Sequence, residues 1–293
     1  MSELMSDNLQ LASLPGISSF TDRAVIGFLK SYAGVYRDKH IQNWKDDFRL
    51  GAGVRAFSVD MIFGMDAGWA VEGAVGSEYK IDATYLSPHV NMASRMMSAS
   101  KQYGVSLLVS QAVEELLSDN ARSKFRHLDT VTVKGSSVRQ RIFTYDMRHS
   151  GVDFFLFDRS DKDANLDAEC YSPSIWDSDQ DLIRMRQHIS KDFLTEFNFG
   201  RDQYLAGNWK SALQHLKKAD SIMVTHVVDE GYLEESIEGI DHLLVNGDET
   251  NADVVRLRAE ISDGPSRSII AYMEKRGGTA PQGWAGYRPL TSK

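Results

Sequence analysis

The period of the hydrophobic pattern changes along this chain. Up to residue 146, short strand-like runs interleave with segments of helical period. Apolar positions recur at helical spacing over residues 22–36. Strand-type runs occupy residues 59–64, 69–75, 79–86 and 105–109, and a two-strand hairpin pattern covers 130–133 and 141–145. A sequence in which strands and helices alternate in this way predicts an α/β or α+β domain.

One predicted helix in this half has clear signals at both ends. Ser87 is a good N-cap residue and Pro88 suits the first helical position. Gly104 suits the position just after the last turn, where the backbone usually turns left-handed. These signals predict a helix between residues 88 and 103.

The C-terminal half has a different pattern. Residues 147–181 are rich in Asp and Ser and are predicted to form a linker, whereas 182–293 is predicted to be helical with a loop-like tail from Gly277. Small and aromatic residues there follow the spacing of a tetratricopeptide-type helical hairpin: Gly200, Tyr204, Gly207, Trp209, Ala212, Leu216 and Ala219. One repeat is below the three or so that a free-standing solenoid needs. A helical hairpin packed on the preceding domain and a peptide-binding scaffold both remain open.

Composition narrows the class of protein. The chain has 293 residues, 42% of them hydrophobic, and a formal net charge of -8. This acidic balance argues against a nucleic-acid-binding protein, which normally carries a basic face. No apolar run reaches the roughly 18 residues needed to span a bilayer. The N-terminus lacks the pattern of a signal peptide, and Cys170 is the only cysteine, so a cytoplasmic location is expected.

The predicted helix 88–103 also carries a candidate site. Asn91 and Arg95 are four residues apart, so both side chains project from one face of its first two turns. An amide and a guanidinium at a helix N-terminus suit a phosphate ester. The spacing alone is equally compatible with an ordinary solvated helix face.

A series of motifs extends this pattern over about 100 residues. In chain order they are FGMDAGWAVEGAVGS (63–77), DATY (82–85), VNMASRM (90–96), KQYGV (101–105), LVS (108–110), VTVKG (131–135) and IFTY (142–145). Residues 49–146 thereby resemble the C-terminal half of a class III nucleotidyl cyclase catalytic domain. The implied fold is α+β: a partial ferredoxin-like cyclase domain, preceded by a lead-in and helix at 1–48 and followed by an all-α C-terminal segment.

The resemblance implies a role for four residues. Asn91 matches the residue that orients the ribose, and Arg95 the one that stabilises the pentavalent α-phosphate. Lys134 matches the lysine that neutralises the leaving pyrophosphate. Thr84 matches the position that reads the purine and favours ATP over GTP.

The metal-binding half of the family pattern is not recognisable. Cyclases hold Mg²⁺ or Mn²⁺ on two aspartates of the N-terminal half, and Gly16 stands where a superficially similar motif would need a carboxylate. The metal ligands are therefore expected from a partner chain, and this chain supplies none. The matched segment also departs from the family at Asp66, where His is frequent, and at Ser87-Pro88-His89, where Gly-Asp is usual. Without the family's central strand, an unpaired sheet edge is expected.

These observations predict an adenylate-cyclase-type half-site that forms cyclic AMP and pyrophosphate from ATP in intracellular signalling. It is expected to be inactive alone and to need a cyclase-domain homo- or heterodimer partner or the N-terminal half. The alternative is a non-catalytic cyclase homologue that binds a nucleotide or a protein and regulates it. In a third interpretation the tetratricopeptide-like hairpin is the working part.

Overall fold

A computed structural model describes residues 11–46, 49–50, 60–133, 138–150, 152, 171–231, 241–246 and 252–290. The helices are α1 (Ile17–Arg37), α2 (Lys39–Gln42), α3 (Pro88–Tyr103), α4 (Gln111–Leu116), α5 (Asp119–Arg122), α6 (Ile175–Ser178), α7 (Gln180–Arg184), α8 (Lys191–Leu205), α9 (Trp209–Asp229), α10 (Asp241–Asn246), α11 (Ala252–Ile261) and α12 (Gly264–Glu274). The strands are β1 (Phe63–Met65), β2 (Val71–Ser77), β3 (Lys80–Leu86), β4 (Leu107–Ser110), β5 (Phe125–Val133), β6 (Gln140–Tyr145) and β7 (Arg288–Leu290).

The chain forms two compact units, each discontinuous in sequence. One contains the described residues of Met1–Asp22, Ile62–Tyr145 and Tyr287–Lys293, and the other those of Arg23–Met61 and Asp146–Gly286. The first unit contains all seven strands, and the second is helical. The fold is thus α+β with a helical C-terminal part, as the sequence predicts.

The first unit is built on a five-stranded sheet of order β1-β4-β6-β5-β7. β1 and β4 run parallel, and β6 is antiparallel to both β4 and β5. All four residues of β4 are buried, and the first three, Leu107, Leu108 and Val109, are consecutive apolar residues. Among the described residues, β1 lies at one edge of the sheet, in line with the edge expected from the sequence.

β2 and β3 form a separate two-stranded antiparallel sheet in the same unit. Every residue of β2 is exposed, and so is every residue of β3 except Thr84. Large apolar side chains are among those in contact with solvent on these strands: Val71, Val75, Ile81, Tyr85 and Leu86. A hairpin with this much exposed apolar surface is only marginally stable without a covering surface.

β7 shows that the loop-like assignment of the tail is wrong at residues 288–290. This strand pairs in parallel with β5 and forms the opposite edge of the sheet. Arg288 Nε lies 2.8 Å from Asp129 Oδ2 in an ion pair, and the Arg288 side chain is only 7% exposed. The buried ion pair ties the end of the chain into the sheet, a contact that local sequence patterns do not reveal.

The second unit centres on the antiparallel pair α8 and α9. A Cβ on Gly200 would come within 2.8 Å of the Leu216 side chain, so the small residue allows the two helices to approach closely. The rings of Tyr204, Trp209, Tyr272 and Trp284 form one aromatic cluster over this pair. A helical hairpin at these residues is confirmed, whereas its identity as a tetratricopeptide repeat stays a prediction.

α1 confirms the helix predicted over residues 22–36. In the second unit its Lys30 and Arg37 pair with Asp179 and Asp181 at the start of α7.

No helix within the described part of the chain combines the length and the apolar character needed to cross a membrane.

Candidate functional site

The candidate site is carried by α3, whose ends follow the sequence signals. The Ser87 hydroxyl accepts a hydrogen bond from the His89 amide at 3.0 Å, and Pro88 opens the helix. Gly104 takes the left-handed conformation, with φ 65° and ψ 37°. Both predicted boundaries are confirmed. Capping residues mark helix ends because they satisfy backbone groups that the helix itself leaves without partners.

The inner face of α3 is pressed against the sheet. Met96, Ala99 and Tyr103 are buried on this face. Gly64 in β1 lies so close to the helix that a Cβ there would stand 2.1 Å from the Met97 nitrogen and 2.3 Å from the Ala93 carbonyl oxygen. Only glycine leaves room for this approach, so β1 sets the distance of the helix from the sheet.

Asn91 and Arg95 lie one turn apart on α3, as the sequence predicts. Asn91 is exposed and Arg95 is half-buried. The Nη1 atom of Arg95 is itself buried and has no hydrogen-bond partner among the described residues. A guanidinium nitrogen that is withdrawn from water without a partner is unfavourable, and an anionic oxygen would satisfy it.

Of the other two predicted site residues, Thr84 and Lys134, the structure describes only Thr84. Thr84 lies on β3 opposite Gly73 and is the one half-buried residue of that strand. β3 leads directly through Ser87 into α3, so Thr84 is joined to the helix by a single short connection. Lys134 lies outside the described residues.

A polar network that the sequence did not predict lies at the start of α3. Asp66 Oδ2 is 2.8 Å from His89 Nδ1, and the Ser110 hydroxyl donates to Asp66 Oδ1. Asp66 is one departure of this chain from the cyclase pattern, and His89 belongs to another, Ser87-Pro88-His89. A carboxylate and an imidazole are natural hydrogen-bond partners, so the residue types of Asp66 and His89 were a signal in the sequence. Predicting that they pair, however, requires knowing that β1 ends beside α3.

A second buried network holds the other end of α3. The Tyr103 hydroxyl donates to Asp129 Oδ2 at 2.8 Å, and Arg288 bonds to both groups. Burial raises the pKa of Tyr103 well above its ordinary value. Burial also raises the pKa of Asp129, and the Arg288 charge opposes this rise. The helix is therefore tied by polar side chains at both ends and by close packing in the middle.

The described residues contain no group of three or more His, Cys, Asp or Glu side chains arranged to hold a metal ion. Carboxylates that would bind Mg²⁺ or Mn²⁺ are thus not assembled among the described residues.

Comparison with known proteins agrees with the geometry of this segment. Residues 38–149 match the adenylate and guanylate cyclase catalytic domain. We call residues 38–149 the cyclase-like segment. It contains α3, the hairpin and four strands of the five-stranded sheet, whereas β7 and the helices after residue 149 lie outside it.

Three curated relatives match parts of this chain. Adenylate cyclase 1 of Rhizobium meliloti (strain 1021) is 40% identical over 81 residues, which cover 28% of this chain and 12% of that protein. The terminal-differentiation-specific adenylate cyclase of Dictyostelium discoideum is 34% identical over 98 residues, 33% of this chain and 5% of that protein. An adenylate cyclase of Anabaena cylindrica is 28% identical over 119 residues, 40% of this chain and 23% of that protein. The chain thus spans less than a quarter of the length of each of these relatives.

Proposed function

We propose that the cyclase-like segment is the nucleotide-binding half of an adenylate-cyclase-type site. With ATP it would form cyclic AMP and pyrophosphate, a reaction of intracellular signalling. The metal carboxylates would come from a second cyclase chain or from an N-terminal half. The observation that carries the proposal is the pair Asn91 and Arg95 on one face of α3, with a guanidinium nitrogen of Arg95 buried and unpartnered.

Arg95 is suited to the charge that develops at phosphorus. When the ribose 3′-oxygen attacks the α-phosphate, negative charge grows on the non-bridging oxygens. A donor that is already desolvated and unpaired binds this charge without first giving up another partner. In the proposed site, Arg95 Nη1 fills that role.

Asn91 lies one turn nearer the helix N-terminus and is exposed. Its amide can donate to and accept from a ribose oxygen, which would fix the sugar for in-line attack. The position of Thr84 just before α3 supports contact with the purine, and the three relatives named as adenylate cyclases favour adenine. Lys134 is proposed to neutralise the leaving pyrophosphate.

The exposed β2–β3 hairpin supports a second cyclase chain as partner. Tyr79, at its turn, is 96% exposed, and Trp69, just before it, is 59% exposed. Val90 of α3, next to Asn91, is 52% exposed. Apolar surface of this extent beside the candidate residues is typical of an interface. A partner bound there could place metal carboxylates opposite Asn91 and Arg95.

A second candidate function is a regulatory, non-catalytic cyclase homologue. The observation that favours it is the lack, within the described ranges, of a cluster able to bind a metal ion. Such a protein would bind a nucleotide or a partner chain without converting ATP. The two proposals differ in one measurable property. Only the first predicts that cyclic nucleotide is formed by a mixed dimer, in which this chain pairs with a cyclase chain that carries the metal aspartates.

The deciding experiment measures cyclic nucleotide formation from ATP and from GTP with Mn²⁺. The chain is assayed alone and mixed with a cyclase that keeps its metal aspartates but is mutated at the residues that match Asn91 and Arg95. We expect activity only in the mixture, with ATP preferred, and a loss of about 100-fold on Arg95→Ala. Lys101→Ala removes a cation from the last turn of the same helix and should leave activity unchanged.

The outcomes separate the two functions. Activity that appears in the mixture and survives Arg95→Ala would refute the role of Arg95. No activity in any mixture, with folding of the chain verified by circular dichroism, would refute the catalytic proposal. Retained binding of an ATP analogue or of the partner cyclase would then support the regulatory function.

A further inference from the structure

The contact between Asp66 and His89 joins three segments that are distant in sequence. Asp66 directly follows β1, Ser110 ends β4, and His89 lies in the first turn of α3. One carboxylate oxygen accepts from Ser110 and the other bonds to His89 Nδ1 at 2.8 Å. The Asp66 side chain is only 5% exposed, so both of its oxygens are satisfied within the protein. The first turn of α3 is thereby tied to the ends of two adjacent parallel strands.

The imidazole of His89 is enclosed and has little freedom to rotate. Its side chain is 17% exposed. A Cβ on Gly68 would lie 2.1–2.3 Å from three ring atoms, so the chain passes directly against the ring. The Trp69 ring lies nearly perpendicular to the imidazole, with the centroids 6.4 Å apart. Because the ring is held on these sides, the hydrogen bond to Asp66 also holds the backbone of His89.

The backbone at this point has a further tie. The His89 amide donates to Ser87 Oγ, and the Ser87 hydroxyl donates to the carbonyl of Trp69. Ser87, which caps α3, and His89, in its first turn, are therefore both bonded to the segment between β1 and β2. Asn91 follows His89 by two residues, on the same turn of the helix.

We propose that His89, held by Asp66 and Ser110, is a positioning residue for Asn91. This inference rests on the proposed function, in which the Asn91 amide orients the ribose. Asn91 is exposed, and nothing else among the hydrogen bonds of the described residues locates its side chain. The direction in which its amide points therefore depends on the backbone of the first turn. A free helix N-terminus frays, whereas this turn is tied to the sheet by a buried carboxylate.

The test compares His89→Ala with His89→Asn. The side-chain amide nitrogen of asparagine stands the same number of bonds from Cα as histidine Nδ1, so Asn can keep the hydrogen bond to Asp66 and Ala cannot. In the mixed dimer with ATP, we expect His89→Ala to lower kcat by about tenfold with little change in KM, because ribose orientation is lost. His89→Asn should restore kcat to within about twofold. Asp66→Ala should match His89→Ala, and the double variant should lose no more than either single variant.

A second measurement does not depend on activity. Amide hydrogen exchange on the chain alone should show faster exchange at residues 90–95 in His89→Ala, with residues 96–103 unchanged. His89→Asn should reverse this increase. Thermal unfolding of each variant identifies any that fails to fold. If His89→Ala does not fold, His89→Asn is compared with the wild type instead.

Each outcome decides the inference. If His89→Ala lowers the unfolding temperature but leaves kcat of the folded protein and exchange at 90–95 unchanged, the role is merely structural and the inference is wrong. If the wild-type mixture makes no cyclic nucleotide, the proposed function fails separately. The inference about the first turn then stands only if local exchange rises in His89→Ala and is reversed by Asn.

Discussion

Replacing Gly64 with alanine tests how closely α3 must approach the sheet. The added methyl group would stand 2.1 Å from the Met97 nitrogen and 2.7 Å from Met97 Cα, and both are backbone atoms. Backbone cannot rotate away as a long side chain can. The helix itself must therefore move, or β1 must leave its register with β4.

The size of the effect follows from the distances. Ordinary contact begins near 3.4 Å, so α3 must retreat by about 1.3 Å from its 2.1 Å contact. Overpacking a well-packed core typically costs about 1–3 kcal/mol, and a rigid backbone neighbour places this site at the upper end. The retreat also loosens the buried faces of Met96 and Tyr103. We expect the free energy of unfolding to fall by about 3 kcal/mol, or roughly 6–12 °C in Tm.

Gly73→Ala is the matched control. Gly73 also lies in a strand of the same unit, but a Cβ there would meet no heavy atom within 4 Å. Thermal and denaturant unfolding should show Gly64→Ala strongly destabilised and Gly73→Ala within about 1 kcal/mol of the wild type. Equal stability of the two variants would refute the argument. In the mixed dimer, a 1 Å displacement of Asn91 and Arg95 should in addition cost about 100-fold in activity.

Two further predictions concern buried charge. Burial lowers the pKa of His149 to about 4 in the folded chain, whereas an unfolded histidine has a pKa of about 6.5. Between these two pH values His149 is therefore protonated in the unfolded chain and neutral in the folded chain. The free energy of unfolding should therefore fall as pH drops from 6.5 to 4, by up to about 3 kcal/mol. His149→Phe should remove this slope, exposed His40→Gln should keep it, and identical pH profiles for all three would contradict the prediction. Arg288→Met leaves Asp129 without its cation and should cost about 3–5 kcal/mol in denaturant unfolding. Exposed Pro289→Ala in the same strand should cost less than about 0.5 kcal/mol, and an equal loss in both variants would show that the ion pair contributes nothing.

Local signals predicted the elements around the candidate site well. Ser87, Pro88 and Gly104 act within one or two residues of the helix ends, so their effect could be inferred without knowing the tertiary structure. The spacing of Asn91 and Arg95 likewise follows from helix geometry alone. The strand of residues 288–290 was missed because three residues with one proline carry almost no periodic signal.

The polar contacts of the site could not be inferred in the same way. Asp66, His89 and Ser110 are separated by up to 44 residues, and their contact depends on the parallel pairing of β1 with β4. The ion pair between Arg288 and Asp129 spans a still longer separation. Each partner alone is an ordinary polar residue, and only burial beside the other gives it a structural role.

The sequence by itself determined the helix that bears the candidate residues, the α+β character of the first 146 residues and the helical character of the later ones. It did so because capping, period and motif spacing act over a few residues of chain. The tertiary structure decided how near α3 lies to β1, which groups hold its two ends, and that Arg95 Nη1 is left buried without a partner. Those properties depend on which strands pair, and strand pairing is set by the burial of whole faces rather than by any local pattern.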